Sequence, residues 1–209
     1  MNLFILSHDP AKIAEYMMDK HIAKIILEAV QMLCTTQRLL TVGTGCEIDP
    51  CVYKIAHKNH PVTIWCRASQ ANFIWTLDLI DAMHSEWKYR YGHPESKQHK
   101  SYIVAQYLRE NIPEPTKFEK VKAAGVMTPF ALAMPEEHKI RRRNTPTSNS
   151  IFTDVSNEFD AVASYRSYYL SEPKRRIAKW GKNRKMPAWY ARGLTNTRPV
   201  KLRIVASLL

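Results

Sequence analysis

Long apolar runs are missing from this 209-residue chain. Its opening stretch, Met1 to Leu6, lacks a basic flank and is too short for a signal peptide or a spanning helix. The protein is therefore expected in a cytosol or nucleoid, with no membrane partner. Cysteine is sparse as well: Cys34, Cys46, Cys51 and Cys66 are the only four. Nothing suggests export, so they read as free thiols in a reducing compartment. Glycine numbers six, and there is neither a long glycine linker nor an internal repeat. Phosphate-binding loop, dinucleotide fingerprint, nucleophile elbow and His-Glu-x-x-His motif are all absent, so the enzyme classes that carry them lack their signatures here. No feature indicates an obligate protein partner.

What is present is positive charge, and it is segregated. The net charge is +12, with 31 Lys and Arg against 19 Asp and Glu. Residues 1–100 are nearly balanced, and the excess lies in the second half. Lys174, Arg175, Arg176, Lys179, Lys182, Arg184, Lys185, Arg192, Arg198, Lys201 and Arg203 follow one another with no intervening acid, and Trp180, Trp189 and Tyr190 lie among them. Cations release counterions from phosphates, and rings offer faces on which bases stack. DNA is the partner this pattern favours, over a solvated tail or an anionic membrane surface. A second cluster, Arg141, Arg142 and Arg143, precedes a Ser/Thr/Asn/Pro stretch that reads as a loop able to close on a polyanion.

Hydrophobic content of 45% suits a globular chain, and its length fits one domain. The apolar start could form a strand. Asp9-Pro10 supplies an N-cap and a first-turn proline, predicting a helix to about Leu40 with Ile22, Ile25, Ile26, Ala29, Val30 and Leu33 as its buried stripe. His60-Pro61 predicts a second long helix closed at Gly92, with Trp65, Ala68, Asn72, Trp75, Leu79, Met83 and Trp87 on one face. A shorter helix is expected from Lys97 to Arg109 and irregular chain over 112–150. A helix capped by Asp154 or Ser156 should run to about Leu170, and a short basic helix should end near Trp180. The last fourteen residues read as a tail with one possible strand. The fold class is mainly α: a single compact helical domain on two long helices (1–172), with a basic aromatic C-terminal extension (173–209).

Candidate chemistry sits on the two long helices. Glu15, Asp19, His21 and Glu28 flank the first apolar stripe, and Asp19 falls at its edge, where a half-buried carboxylate suits general acid or base work. A salt bridge is the competing role. His57-x-x-His60-Pro precedes the second helix, with Arg67, Ser69 and Asn72 in its first turns. Arg for phosphate, Asn for a base edge and imidazoles for proton transfer would form one site. Each also has a structural alternative, such as a cap for His60 or backbone satisfaction for Asn72. Cys46, Cys51, His57 and His60 could offer zinc a tetrahedral set, but the spacing departs from the common paired-ligand patterns, and no cofactor is expected.

Three blocks carry a resemblance. They are Met1-Asn-Leu-Phe…Asp9-Pro10…Asp19-Lys20-His21…Leu27-Glu28…Gln31-Met32-Leu33; His57-x-x-His60-Pro61…Trp65-x-Arg67-x-Ser69-x-x-Asn72…Tyr89-Arg90-Tyr91-Gly92; and Met134-Pro135-Glu136-Glu137…Tyr165-Arg166-x-Tyr168-Tyr169…Pro187-x-Trp189-Tyr190. Together they resemble a family of small phage proteins in which the motifs keep this order over almost the whole chain. More distantly, the layout is similar to the phage pyrimidine-dimer DNA glycosylase/AP lyase family. That likeness implies Asp19 near the catalytic acid, and Pro187, Trp189 and Tyr190 at a substrate-facing aromatic end. The family's nucleophile is the amine exposed by removal of the initiator Met; Asn2 is bulkier than the residues that normally permit such trimming.

The leading expectation is a DNA-acting enzyme of pyrimidine-dimer glycosylase type. It would hold a flipped or splayed base with Asp19, His21, His57, His60 and Asn72, and grip the strand through Arg67, Arg141–Arg143, Arg166 and the basic run from Lys174 to Tyr190. A transferase that modifies thymine in phage DNA and a non-catalytic DNA-binding protein are the alternatives.

Overall fold

The computed structural model describes residues 1–43, 45, 48–142, 158–181 and 184–196. The protein is mainly helical. Eight α-helices appear among the described residues: α1 (Pro10–Tyr16), α2 (Asp19–Thr41), α3 (Pro61–Cys66), α4 (Gln70–Tyr91), α5 (Lys100–Glu110), α6 (Ala161–Tyr169), α7 (Glu172–Arg175) and α8 (Ala188–Asn196). Two 3-10 turns, Pro115–Lys117 and Glu136–His138, interrupt the irregular chain between α5 and α6. No strand forms among the described residues; β pairing is confined to two isolated bridges, Ser69 with Val121 and Arg141 with Phe159.

The two long helices pack on each other, and α2 also contacts α3 and α5. The stripe expected on α2 is buried throughout, from Ile22 to Leu33. The α4 helix lies among α1, α2, α3 and α5, so it buries side chains around most of its circumference, Phe73, Leu77 and Ile80 as well as Trp75, Leu79 and Met83, and leaves Asp78, Ser85 and Tyr89 exposed. Each such side chain contributes roughly 1.5–3 kcal/mol of burial.

Both long helices are shorter than their hydrophobic periodicity suggests. Between α1 and α2, Met17 and Met18 adopt extended backbone with ψ of 142° and 149°. Between α3 and α4, Ser69 turns extended and caps the new helix, its Oγ accepting from Asn72 N at 3.1 Å. The other signals act as expected. Asp9 Oδ1 accepts from Ala11 N at 2.9 Å, and Gly92 ends α4 in the left-handed region at φ 61°. The expected caps Asp154 and Ser156 lie outside the described residues; α6 begins at Ala161 with Asp160 as its cap.

The apolar start is not a strand. Leu3, Phe4, Ile5 and Leu6 run irregularly through the core, and Phe4 is held at φ 50°, an outlier for an aromatic residue. Asn2 builds this turn: its Oδ1 accepts from Leu3 N at 2.9 Å and Phe4 N at 3.3 Å, and its Nδ2 donates to Ala133 O at 2.7 Å. The basic segment packs on the helical core as far as residue 196. Trp180 Nε1 donates to Tyr16 O at 3.0 Å, and Tyr190 is 1% exposed against Trp180. The rest of the expected tail lies outside the described residues.

Candidate functional site

Four charged groups join the N-terminal end of α2 to the C-terminal end of α4 and to the basic segment. Arg90, its side chain 1% exposed, donates from Nη1 to Asp19 Oδ1 at 3.0 Å and from Nε to Glu86 Oε1 at 2.5 Å. Its N–H groups also donate to the Met17, Ala14 and Glu15 carbonyls at 2.6, 3.1 and 2.9 Å, at the end of α1. Glu86 also takes a bidentate pair from Arg184, 2.8 Å from Nε and 2.7 Å from Nη2. Asp19 Oδ1 accepts from Gly181 N at 3.0 Å, and Asp19 N donates to Lys179 O at 2.9 Å. Asp19 is therefore committed to ion pairing and to docking the basic segment. These contacts are the ones the competing structural role calls for.

A different carboxylate stands among amines. On α2, His21, Lys24 and Glu28 follow at i, i+3 and i+7, which places them on one face. Glu28 Oε2 lies 3.7 Å from the α-amine of Met1 and accepts from Asn2 N at 3.0 Å, while Lys24 Nζ stands 3.5 Å from Oε1. Lys174 of α7 completes the group from across the chain. Its Nζ lies 4.6 Å from the Phe4 ring centre and 5.2 Å from that of Tyr168. Burial and the charge of Lys24 hold the Lys174 amine below the ordinary lysine range, and Glu28 opposes them.

His21 is the buried floor of this face. Its ring stacks on Phe4 at 4.6 Å and 11°, and its Nδ1 lies 2.5 Å from Tyr169 Oη. Burial, then Lys174 and Lys24, push its pKa down to about 3, so the imidazole is neutral. Tyr169 Oη already accepts from Met18 N at 3.4 Å, and among the described residues His21 Nδ1 is the acceptor within reach of its own proton. It therefore donates to Nδ1, which leaves the His21 proton on Nε2. His60 lies within electrostatic reach of Met1 and Glu28, and burial lowers its pKa first, then the N-terminal charge. Its Nδ1 accepts from Val62 N at 3.2 Å, the cap of α3. His57 is exposed beside it with φ 49°.

The other expected site residues are dispersed. Asn72, 0% exposed, donates to Trp65 O and Thr128 Oγ1, both at 2.7 Å, and accepts from Thr128 N at 3.0 Å, so its amide ties α4 to a loop instead of reading a base edge. Arg67 is held by Glu119 at 2.7 Å and Lys58 O at 2.5 Å, away from any phosphate role. Arg166 donates to Leu6 O at 3.0 Å and lies between the Trp189 and Tyr16 rings, at 5.1 and 5.9 Å. Arg141 pairs with Glu158, and Arg142 N donates to Glu158 O at 2.9 Å. Arg176 pairs with Glu172. Trp180, Trp189 and Tyr190 pack the segment onto the core; Tyr190 is too deeply buried to stack on a base. Arg175, Lys179 and Lys185 remain exposed. Arg143 and Lys182 lie outside the described residues, as does Cys46 of the set weighed for zinc.

Sequence reasoning marked Glu28 only as one ionisable group on the helix, and it missed Lys24 and the proximity of Lys174. The i, i+3, i+7 spacing was the signal for the first two. Compared with known protein families, curated proteins and solved structures, the chain matches none. No helix among the described residues is long and apolar enough to cross a membrane.

Proposed function

We propose that the protein is a DNA-acting enzyme of the pyrimidine-dimer glycosylase type, with Glu28 in the place first given to Asp19. The observation that carries this reading is the pair of amines, Met1 and Lys174, beside one helix-borne carboxylate on a face floored by a neutral imidazole. The excess of amines over carboxylates attracts a phosphodiester, and a half-buried amine with a depressed pKa is unprotonated more often, hence nucleophilic. Its lone pair forms a bond to C1′ of the sugar as the bond from C1′ to the base breaks, and Glu28 passes the amine proton to the departing base. Opening of the sugar ring then moves the second amine proton to O4′ and leaves an imine. The neutral His21 imidazole adds no charge to this face.

Borohydride trapping tests this. Duplexes containing a thymine dimer or an abasic site, incubated with the protein and borohydride, are expected to give a covalent adduct that peptide mass spectrometry maps to Met1 or Lys174. Glu28→Gln should cut its yield at least tenfold. No adduct in either duplex, with nucleoside mass spectrometry showing an altered thymine, would assign the transferase reading. No adduct and no altered nucleoside, with DNA still bound, would assign the non-catalytic one.

A further inference from the structure

The C-terminal end of α4 carries a second constellation, outside the Glu28 face. His84, Ser85, Lys88, Tyr89, His93 and Glu95 line an open cavity of about 470 Å³, within the range of small-ligand pockets. His84, Tyr89 and His93 bring planar rings to its lining. The Trp87 ring stands 4.1 Å from that of His93, which stacks in turn near Tyr91 at 6.0 Å and 17°. Tyr89 is 48% exposed and carries the Arg184 guanidinium 4.6 Å above its ring. Lys88 Nζ is drawn to Glu95, 2.7 Å from the carbonyl and 3.1 Å from the carboxylate, which shapes the rim and cancels its charge.

His84 brings a buried imidazole to this cavity. The residue is 4% exposed and its ring lies flat on Tyr102, at 3.7 Å and 7°. His99 N donates to Nε2 at 3.4 Å, so the neutral ring carries its proton on Nδ1. Among the described residues, Nδ1 has no hydrogen-bond partner. A buried imidazole held this firmly and lining a cavity leaves one N–H for a ligand, and burial keeps it neutral by pushing its pKa down to about 4. A ligand that satisfies these walls is flat, aromatic and carries a ring acceptor.

We propose that this cavity is a nucleobase pocket: a pyrimidine stacks against Tyr89, and its ring carbonyl accepts from His84 Nδ1. The pocket does not depend on the chemistry assigned to Glu28. It serves a free nucleotide or one base of a single strand, and the two sources are separable.

Calorimetric titration with thymidine 5′-monophosphate, octathymidylate and 2-deoxyribose 5-phosphate tests the assignment. Saturable binding of the monophosphate or the octamer, with none of the base-free sugar phosphate, is expected. Preference for the octamer identifies a strand as the source, and equal affinity per base a free nucleotide. Tyr89→Ala should weaken binding about tenfold, and His84→Phe, which keeps the stacked ring but removes the donor, about three- to tenfold. Tyr89 is exposed, so its variant keeps the fold and the test stands without the buried His84 variant. Binding of these probes and the borohydride adduct are separate readouts, so failure here and failure of the Glu28 reading are told apart. Binding of neither thymidine probe, equal binding of the sugar phosphate, or affinity unmoved in Tyr89→Ala overturns the proposal.

Discussion

The Arg90 guanidinium reaches Asp19 Oδ1 at 3.0 Å across 71 positions of sequence, and the same side chain donates to three carbonyls at the end of α1. One buried cation thus fixes where the first helix stops, where α2 starts and where α4 ends against them. Removing a partner from a buried ion pair leaves uncompensated charge, at about 3–5 kcal/mol. Arg90→Ala is expected to lose that much in urea unfolding. Arg184→Ala should lose only about 1 kcal/mol, because Arg184 is 31% exposed and Glu86 keeps Arg90. Equal losses in the two variants would contradict the ranking.

Acid should weaken the fold through its buried imidazoles. The pKa of His21 is lowered from 6.5 to about 3 in the folded chain, and that of His84 to about 4. Above pH 6.5 neither state binds these protons and the full stabilisation is present. As pH falls from 6.5 towards 4 the unfolded chain protonates and the folded one does not, so stability drops by up to about 1.4 kcal/mol per pH unit for each histidine. Urea midpoints measured between pH 7 and pH 4 should show the decline, and His21→Phe should flatten it. A slope identical to that of the unmodified chain would exclude His21 as a source.

Asn72 is expected to matter for folding and not for DNA. Asn72→Ala strands Thr128 N, whereas Trp65 O keeps the Ala68 N–H, and an unsatisfied buried group costs about 1–3 kcal/mol. Thermal unfolding should show the loss, while DNA affinity measured well below the new midpoint should stay within twofold. A large affinity loss in a folded variant would restore Asn72 to base recognition.

The fold was legible where local chemistry decides it. Asp9-Pro10, His60-Pro61 and Gly92 mark real helix ends because cap and proline geometry act within one turn. The break at Met17 and Met18 was not legible: apolar periodicity runs through it, and the group that stabilises it, Arg90, is remote in sequence. The site follows the same division. Ionisable residues along one face of α2 are a periodicity argument, so Glu28 and His21 could be seen; which carboxylate is quenched depends on tertiary partners. Asp19 meets Arg90 and Gly181, whereas Glu28 meets Met1 and lies within the field of Lys174. Rings between cations likewise look the same in sequence whether they face a base or dock a segment, and Tyr190 docks.

Salt dependence separates cations that hold the fold from cations that could hold a phosphate. Arg67, Arg166 and Arg184 are engaged by Glu119, Leu6 O and Glu86, so neutralising DNA would cost each of them an existing partner. Arg175, Lys179, Lys185 and Arg192 are exposed. If these four carry the contact, log K against log salt should fall with a slope of roughly −4, shallower than the value near −5 that about six phosphate contacts would give. Replacing Lys179 and Lys185 by Gln should reduce that slope by about 2, because each phosphate contact contributes nearly one unit. Arg184→Gln should lower stability and leave the slope in place. A slope near zero would remove DNA as the partner, and a slope unchanged in the double variant would move the contact to another surface.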